Sequence, residues 1–167
     1  MKRLPVSLLL AAALAACGEA STSNSSSEAQ RAADALTGDS KGEPSDNALC
    51  KLFTPDELAV YAGEPLDGPR NAAMGSGCQW PAKDGEGEIM LQVVPKRYHR
   101  NTTMADGYKK LPDLGLEGNV SPDMGDWIAT TIVGEDSVIA SVAGKSASAA
   151  QAAALLRETI KRRGGSP

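Results

Sequence analysis

The chain has 167 residues, with 17 basic against 21 acidic side chains, a formal net charge of −4 and 4% aromatic residues. That length suits one domain once processed ends are removed. An acidic balance gives no electrostatic footprint for nucleic acid and suits a soluble body.

Lys2 and Arg3 precede an apolar run from Leu4 to Ala16, the charged and apolar regions of a secretory signal peptide over residues 1–16. The run is shorter than the about 20 apolar residues a spanning helix needs. Its end, Leu14-Ala15-Ala16-Cys17, resembles the lipobox of bacterial lipoproteins. That resemblance implies a diacylglycerol on the Cys17 sulfur, cleavage just before it and an acyl chain, such as palmitate, on the new amine. Several chains would then hold the protein to a membrane, where one alone binds marginally. Gly18, where an Asp would retain an enterobacterial lipoprotein in the inner membrane, implies an outer-membrane address facing the periplasm. An ordinary signal peptide with a chance cysteine at the cut is the alternative. Without the leader, 15 basic residues face 21 acidic ones, a net charge of −6.

Residues 17–45 follow as lipidated cysteine and tether, rich in Ser, Ala, Gly, Thr and Glu with no aromatic residue. Such a segment buries too little to offset its ordering entropy. As a flexible coil, about 28 residues reach roughly 30 Å. A single domain is expected over 46–163, with a tail at 164–167. It opens on "FTPDELAVYAG", which carries a helix start: Thr54 as N-cap, Pro55 at the first helical position and Glu57 completing a capping box. Phe53 can staple onto Leu58, and Gly63 supplies the stop.

"GCQWP" (77–81) and "EIMLQVVP" (88–95) flank a turn-rich run and predict a hairpin. Both faces of 88–95 are mostly apolar, which predicts a central strand covered on both sides. Residues 102–110 predict a weak helix, undermined by Gly107. "DWIATTIVG" (126–134) and "SVIASVAG" (137–144) predict a second hairpin. In the last segment, Ser148 and Gln151 fit a capping box, with Ser146 as the alternative cap, and Ala152, Leu155, Leu156, Thr159 and Ile160 form one helical stripe. The expected class is α+β: an antiparallel sheet of about four to six strands, packed by a short N-terminal helix and a C-terminal amphipathic helix.

With Cys17 assigned to lipid, Cys50 and Cys78 remain as an even pair in an oxidising compartment. A disulfide between them closes a loop of about 29 residues, worth about 3.6 kcal/mol in the chain-entropy picture. Neither lies in a C-x-x-C motif, which speaks against a redox or metal-binding pair. Trp80 shares a strand face with Cys78 and is expected to pack on the disulfide.

"CKLFTPDELAVYAG", then "GCQWP", an apolar strand, "LPDLGLEG", a Trp-led hairpin and an Ala/Leu-rich final helix together resemble the small cell-envelope lipoproteins of unknown function that abound in actinobacteria. The resemblance runs over residues 48–163 and implies a PsbP-like fold, a sheet backed by helices. The family's frequent Pro before the first Cys is Leu49 here, and the Gly-Asp of its middle motif is Gly115-Leu116. No catalytic residue comes with it.

Chemistry beyond that is thin. His99, the sole histidine, is the one candidate for a catalytic imidazole, and its setting in "KRYHR" reads as a solvated loop. Lys96, Arg97, Tyr98 and Arg100, with Trp127, form a candidate anion or partner contact. "DGEGE" (84–88) alternates carboxylates as calcium prefers, yet lacks the rest of a calcium loop and reads as a turn. Asp123 and Asp126 are a candidate carboxylate pair. No metal and no cofactor are expected. The expected function is a lipid-anchored, non-enzymatic domain of the cell envelope that binds an envelope protein or small envelope ligand. A hydrolase using His99 or a carboxylate pair, and an inhibitor or accessory of a peptidoglycan enzyme, are the alternatives.

Overall fold

A computed structural model describes residues 44–164, apart from 84, 102 and 104. The leader, Cys17, the tether up to residue 43 and the last tail residues, 165–167, lie outside the described residues. The chain enters through two single 3-10 turns, Pro44–Asp46 and Leu49–Lys51. Asn47 holds this entry down: its amide donates to Gly77 O (2.8 Å) and to Asn71 Oδ1 (3.0 Å), while its own oxygen accepts from the Leu49 N–H (2.9 Å). Cys50, in the second turn, is bonded to Cys78 with a Cα–Cα distance of 5.3 Å.

Helix α1 (Pro55–Ala62) forms as its local sequence dictates. The Thr54 hydroxyl accepts from the Glu57 N–H at 3.3 Å, and the Glu57 carboxylate accepts from the Thr54 N–H at 2.8 Å, which closes the capping box. Gly63 ends it at φ 78°, a left-handed conformation that glycine adopts without a Cβ penalty. Helix α2 (Ala149–Arg162) is capped by Ser148, which accepts from the Gln151 N–H. The whole anticipated stripe, Ala152, Leu155, Leu156, Thr159 and Ile160, is buried.

Between the helices lie seven strands: β1 (Arg70–Ala72), β2 (Gly77–Pro81), β3 (Glu88–Pro95), β4 (Lys109–Lys110), β5 (Asn119–Asp123), β6 (Asp126–Val133) and β7 (Asp136–Ala143). They form one antiparallel sheet in the order β1-β2-β3-β7-β6-β5-β4. The α+β class is as expected, and the strand count is seven rather than four to six. β1, β4 and β5 carry no hydrophobic alternation of their own and gain their hydrogen bonds from neighbours already in place. The expected helix over 102–110 is not there: the described residues turn at 105–107, with Gly107 at φ 92°, and then enter β4.

Both helices pack on the same side of the sheet. Trp80, Ile89, Leu91, Val138, Ala140 and Val142 point to that side and are fully buried beneath Leu58, Leu155 and Leu156. Trp80 and the disulfide share this cluster. Arg162, near the end of α2, ties the helix layer together: it donates to Leu52 O and to Glu57 Oε1 (3.0 Å), and stacks over Phe53 at 4.1 Å. Among the described residues, no helix lies on the opposite side of the sheet. β3 is therefore central but covered on one face only, with Met90, Gln92 and Val94 half-buried on the other. The apolar Met and Val there answer to a groove, not to a second layer.

Candidate functional site: a groove on the open sheet face

The register builds the floor of this groove in two rows. Gln92 pairs with Ile139, Ile139 with Thr130 and Thr130 with Asn119. One strand repeat further, Met90 pairs with Ser141, Ser141 with Ile128 and Ile128 with Ser121. Across β3, β7 and β6 the two rows are opposite in polarity, so each apolar side chain has small polar neighbours; the β5 end is polar in both. The polar members are deeply set: Asn119 is 1% exposed, Ser141 2%, Ser121 4% and Thr130 6%. A cavity of about 340 Å³ stands over this floor, with Tyr98 and Arg100 reaching in from the side and Asp123 at the far end of β5. That is the size at which small-molecule sites begin.

The wall is the segment that leaves β3. It starts with a 3-10 turn at Lys96–Tyr98 and crosses the start of β7, where His99 Nδ1 lies 2.8 Å from Ser137 Oγ. Asn101 then donates to Glu117 Oε2 at 3.0 Å, and Tyr108 to Asn101 Oδ1 at 3.4 Å. His99 is anything but a solvated loop residue: its side chain is 7% exposed, with Nε2 3.9 Å from Glu117 Oε2. Ser137, His99 and Glu117 stand in line as a nucleophile, base and acid would. Ser137 is fully buried, however, so its hydroxyl has no access to a substrate and the trio acts as a clamp on the wall.

The other residues singled out from sequence are dispersed. Lys96 is engaged, its ammonium 2.6 Å from Glu135 Oε1. Arg97 stacks over Tyr98 at 4.8 Å. Trp127 faces the helix side, paired with Val142 and Pro122 and packed against the core, away from the groove. Of that set, only Tyr98 and Arg100 line the cavity. Asp123 and Asp126 are register partners beside the β5–β6 turn. Burial and the neighbouring Asp123 push the Asp126 carboxyl up from its ordinary pKa, against a hydrogen bond from Ser141. The floor residues escaped notice because Ile128 and Ile139 read as ordinary core positions in apolar strands.

Behind the groove's far end, Glu64 is 8% exposed and sits among backbone rather than side chains. A Cβ on Gly85 or Gly87 would overlap its carboxylate, and one on Gly144 would lie 2.8 Å from Glu64 Oε1. Lys145 supplies the counter-charge at 3.5 Å. The glycines of "DGEGE" thus let the β2–β3 turn close on a carboxylate. Asp84 lies outside the described residues, Glu88 accepts from Gln79, and no group of three or more metal-ligating side chains occurs among the described residues. No helix among them is long and apolar enough to cross a membrane.

Fold and groove together define a two-layer α+β domain with one closed and one open sheet face. The chain belongs to the family described as "Protein of unknown function (DUF3558)", whose profile matches residues 12–155. No curated protein matches it.

Proposed function

We propose that this protein is a lipid-anchored binding domain of the cell envelope that holds a small amphipathic ligand in the open-face groove. The observation that carries the reading is the floor: polar groups deeply set with no covering layer among the described residues, interleaved with Met90, Ile128 and Ile139. Asn119, Thr130 and Ser141 are held in place by Glu117 O, Ser137 and Asp126, and the concave, alternating surface they form with the apolar residues suits a guest of alternating polar and apolar groups. The lipobox at Cys17 supports the address, outer membrane facing the periplasm, and a sheet backed by helices on one side agrees with a PsbP-like arrangement. Replacing Cys17 by Ser should release the protein from the membrane fraction; retention would refute the anchor.

For the groove, the full chain extracted in mild detergent should carry a bound small molecule in native mass spectrometry. Ile139→Trp, which fills the groove from its floor, should remove that added mass. The same adduct on the filled variant, or no adduct on either protein, would refute the binding reading.

A further inference from the structure

The two ends of the groove carry opposite charges, and neither charge is satisfied within the described part of the chain. Arg157, Arg162 and Arg163 each hold a carboxylate, at 2.6, 2.9 and 3.1 Å. Arg100 has no such partner among the described residues, and it enters the cavity from the wall. Its flanking residues fix its level: His99 is clamped to Ser137 and Asn101 to Glu117, both at the start-of-β7 end. Asp123 lines the same cavity from the opposite end, with no cation beside it among the described residues. Its register partner Asp126 adds a second carboxyl there. Measured along β7, the two ends are Ser137 and Ala143, six residues or about 20 Å apart at roughly 3.4 Å per residue.

The floor between the poles has its own period. Along each strand the inward side chains recur every second residue, about 6.8 Å. Ser137, Ile139 and Ser141 alternate hydroxyl and alkyl on β7, while Ile128, Thr130 and Ile132 alternate the opposite way on β6. An extended peptide repeats at the same two-residue distance. Laid along the strands, it keeps step with the floor, its small side chains meeting Ile128 and Ile139 and an amide meeting the Ser121 hydroxyl. A fatty acyl chain has no ammonium to offer Asp123.

We infer that the groove binds a short extended peptide with both ends free, its carboxylate on Arg100 and its ammonium on Asp123. This rests on the binding reading above and names its ligand. Once the two side chains have reached inward, three or four residues at about 3.4 Å each span the remaining distance. The Asp126 carboxyl, held up by burial and by Asp123, gains a counter-charge when the ammonium arrives. The wall needs no movement for this, because Arg100 is exposed and lies over the cavity.

The test is titration calorimetry of the full chain with tri-alanine in four forms: free, N-acetylated, C-amidated and capped at both ends. Free tri-alanine should bind, and each single cap should weaken it at least tenfold. Arg100→Gln should bind the free and amidated forms equally, and Asp123→Asn the free and acetylated forms equally. Both positions are exposed, so neither change disturbs packing. The inference is overturned if the doubly capped peptide binds as tightly as the free one, if a charge variant keeps full discrimination, or if no form binds. In those cases a groove-dependent adduct in mass spectrometry still upholds the binding reading. If Ile139→Trp binds free tri-alanine as the wild type does, both fall together.

Discussion

The two faces of the sheet are built from the same strands and have come to opposite solutions. Toward the helices, β3 and β7 present Ile89, Leu91, Val138, Ala140 and Val142, all fully buried. Away from them the same strands present Met90, Gln92, Val94, Ser137, Ile139 and Ser141, with no layer above among the described residues. Yet the second set is not a solvated surface. Ser137 and Ser141 are as inaccessible as the core, screened by their neighbours and by the wall from 96 to 101. A closed face settles its energy by packing alkyl groups. The open one keeps concavity, small hydroxyls and, at Arg100 and Asp123, two charges with no opposite partner among the described residues, features that contribute little to folding.

Measurements of stability can break this contrast. The bond between Cys50 and Cys78 lies at the closed face, and reducing it should cost about 3.6 kcal/mol for a loop of about 29 residues. Urea unfolding with and without reductant reads it; a loss under about 1 kcal/mol would mean the bridge is idle. Leu91→Ala should cost about 3 kcal/mol and Ile139→Ala about 1 kcal/mol or less, because only the first leaves a sealed void. Equal costs, measured by the same unfolding curves, would dissolve the distinction between the faces.

At the seam between them, Gly87→Ala drives a methyl into the Glu64 carboxylate and should cost about 2 kcal/mol. Gly68→Ala, which meets open space, should cost nothing comparable in thermal melts.

Smaller effects sharpen the picture. Met124 is fully exposed at φ 49° in the two-residue turn between β5 and β6, where Asn is the fitting residue. Met124→Asn should raise stability by about 0.5 kcal/mol, seen as a higher melting temperature. The least of them concerns acid. The Arg162 guanidinium, with the Thr54 N–H and hydroxyl, lowers Glu57 from 4.5 to about 2. What this pair contributes is complete above pH 4.5 and disappears as pH falls toward 2. Glu57→Gln should therefore flatten the stability–pH curve within that window and leave its slope above it unchanged. An unaltered slope would show that the helix layer does not depend on this contact.

Much of the closed face was legible in the sequence because its signals are local. Thr54, Pro55 and Glu57 specify a helix start within four residues, and the α2 stripe repeats at helical spacing. The hairpin from 126 to 144 shows itself by two apolar runs. What sequence could not show was pairing at a distance: "RNA", "KK" and "NVSPD" become strands only because partners supply the ladder. The open face was misjudged for a related reason. Met90 and Val94 look like core until both helices are known to lie on one side. Of the basic run, Arg100 and Tyr98 join the floor while Lys96 is taken by Glu135. His99, read as solvated, is clamped to a strand 38 residues away in the chain.

The disulfide also decides how the domain bears a pull. Tension arriving along the chain from the N-terminal side reaches Cys50, crosses the sulfur bridge and enters the sheet at Cys78, in the hydrogen-bonded middle of β2. Helix α1 lies between the two cysteines in the chain, so the bridge bypasses it, while the Asn47 contacts to Asn71 and Gly77 take a share of the pull.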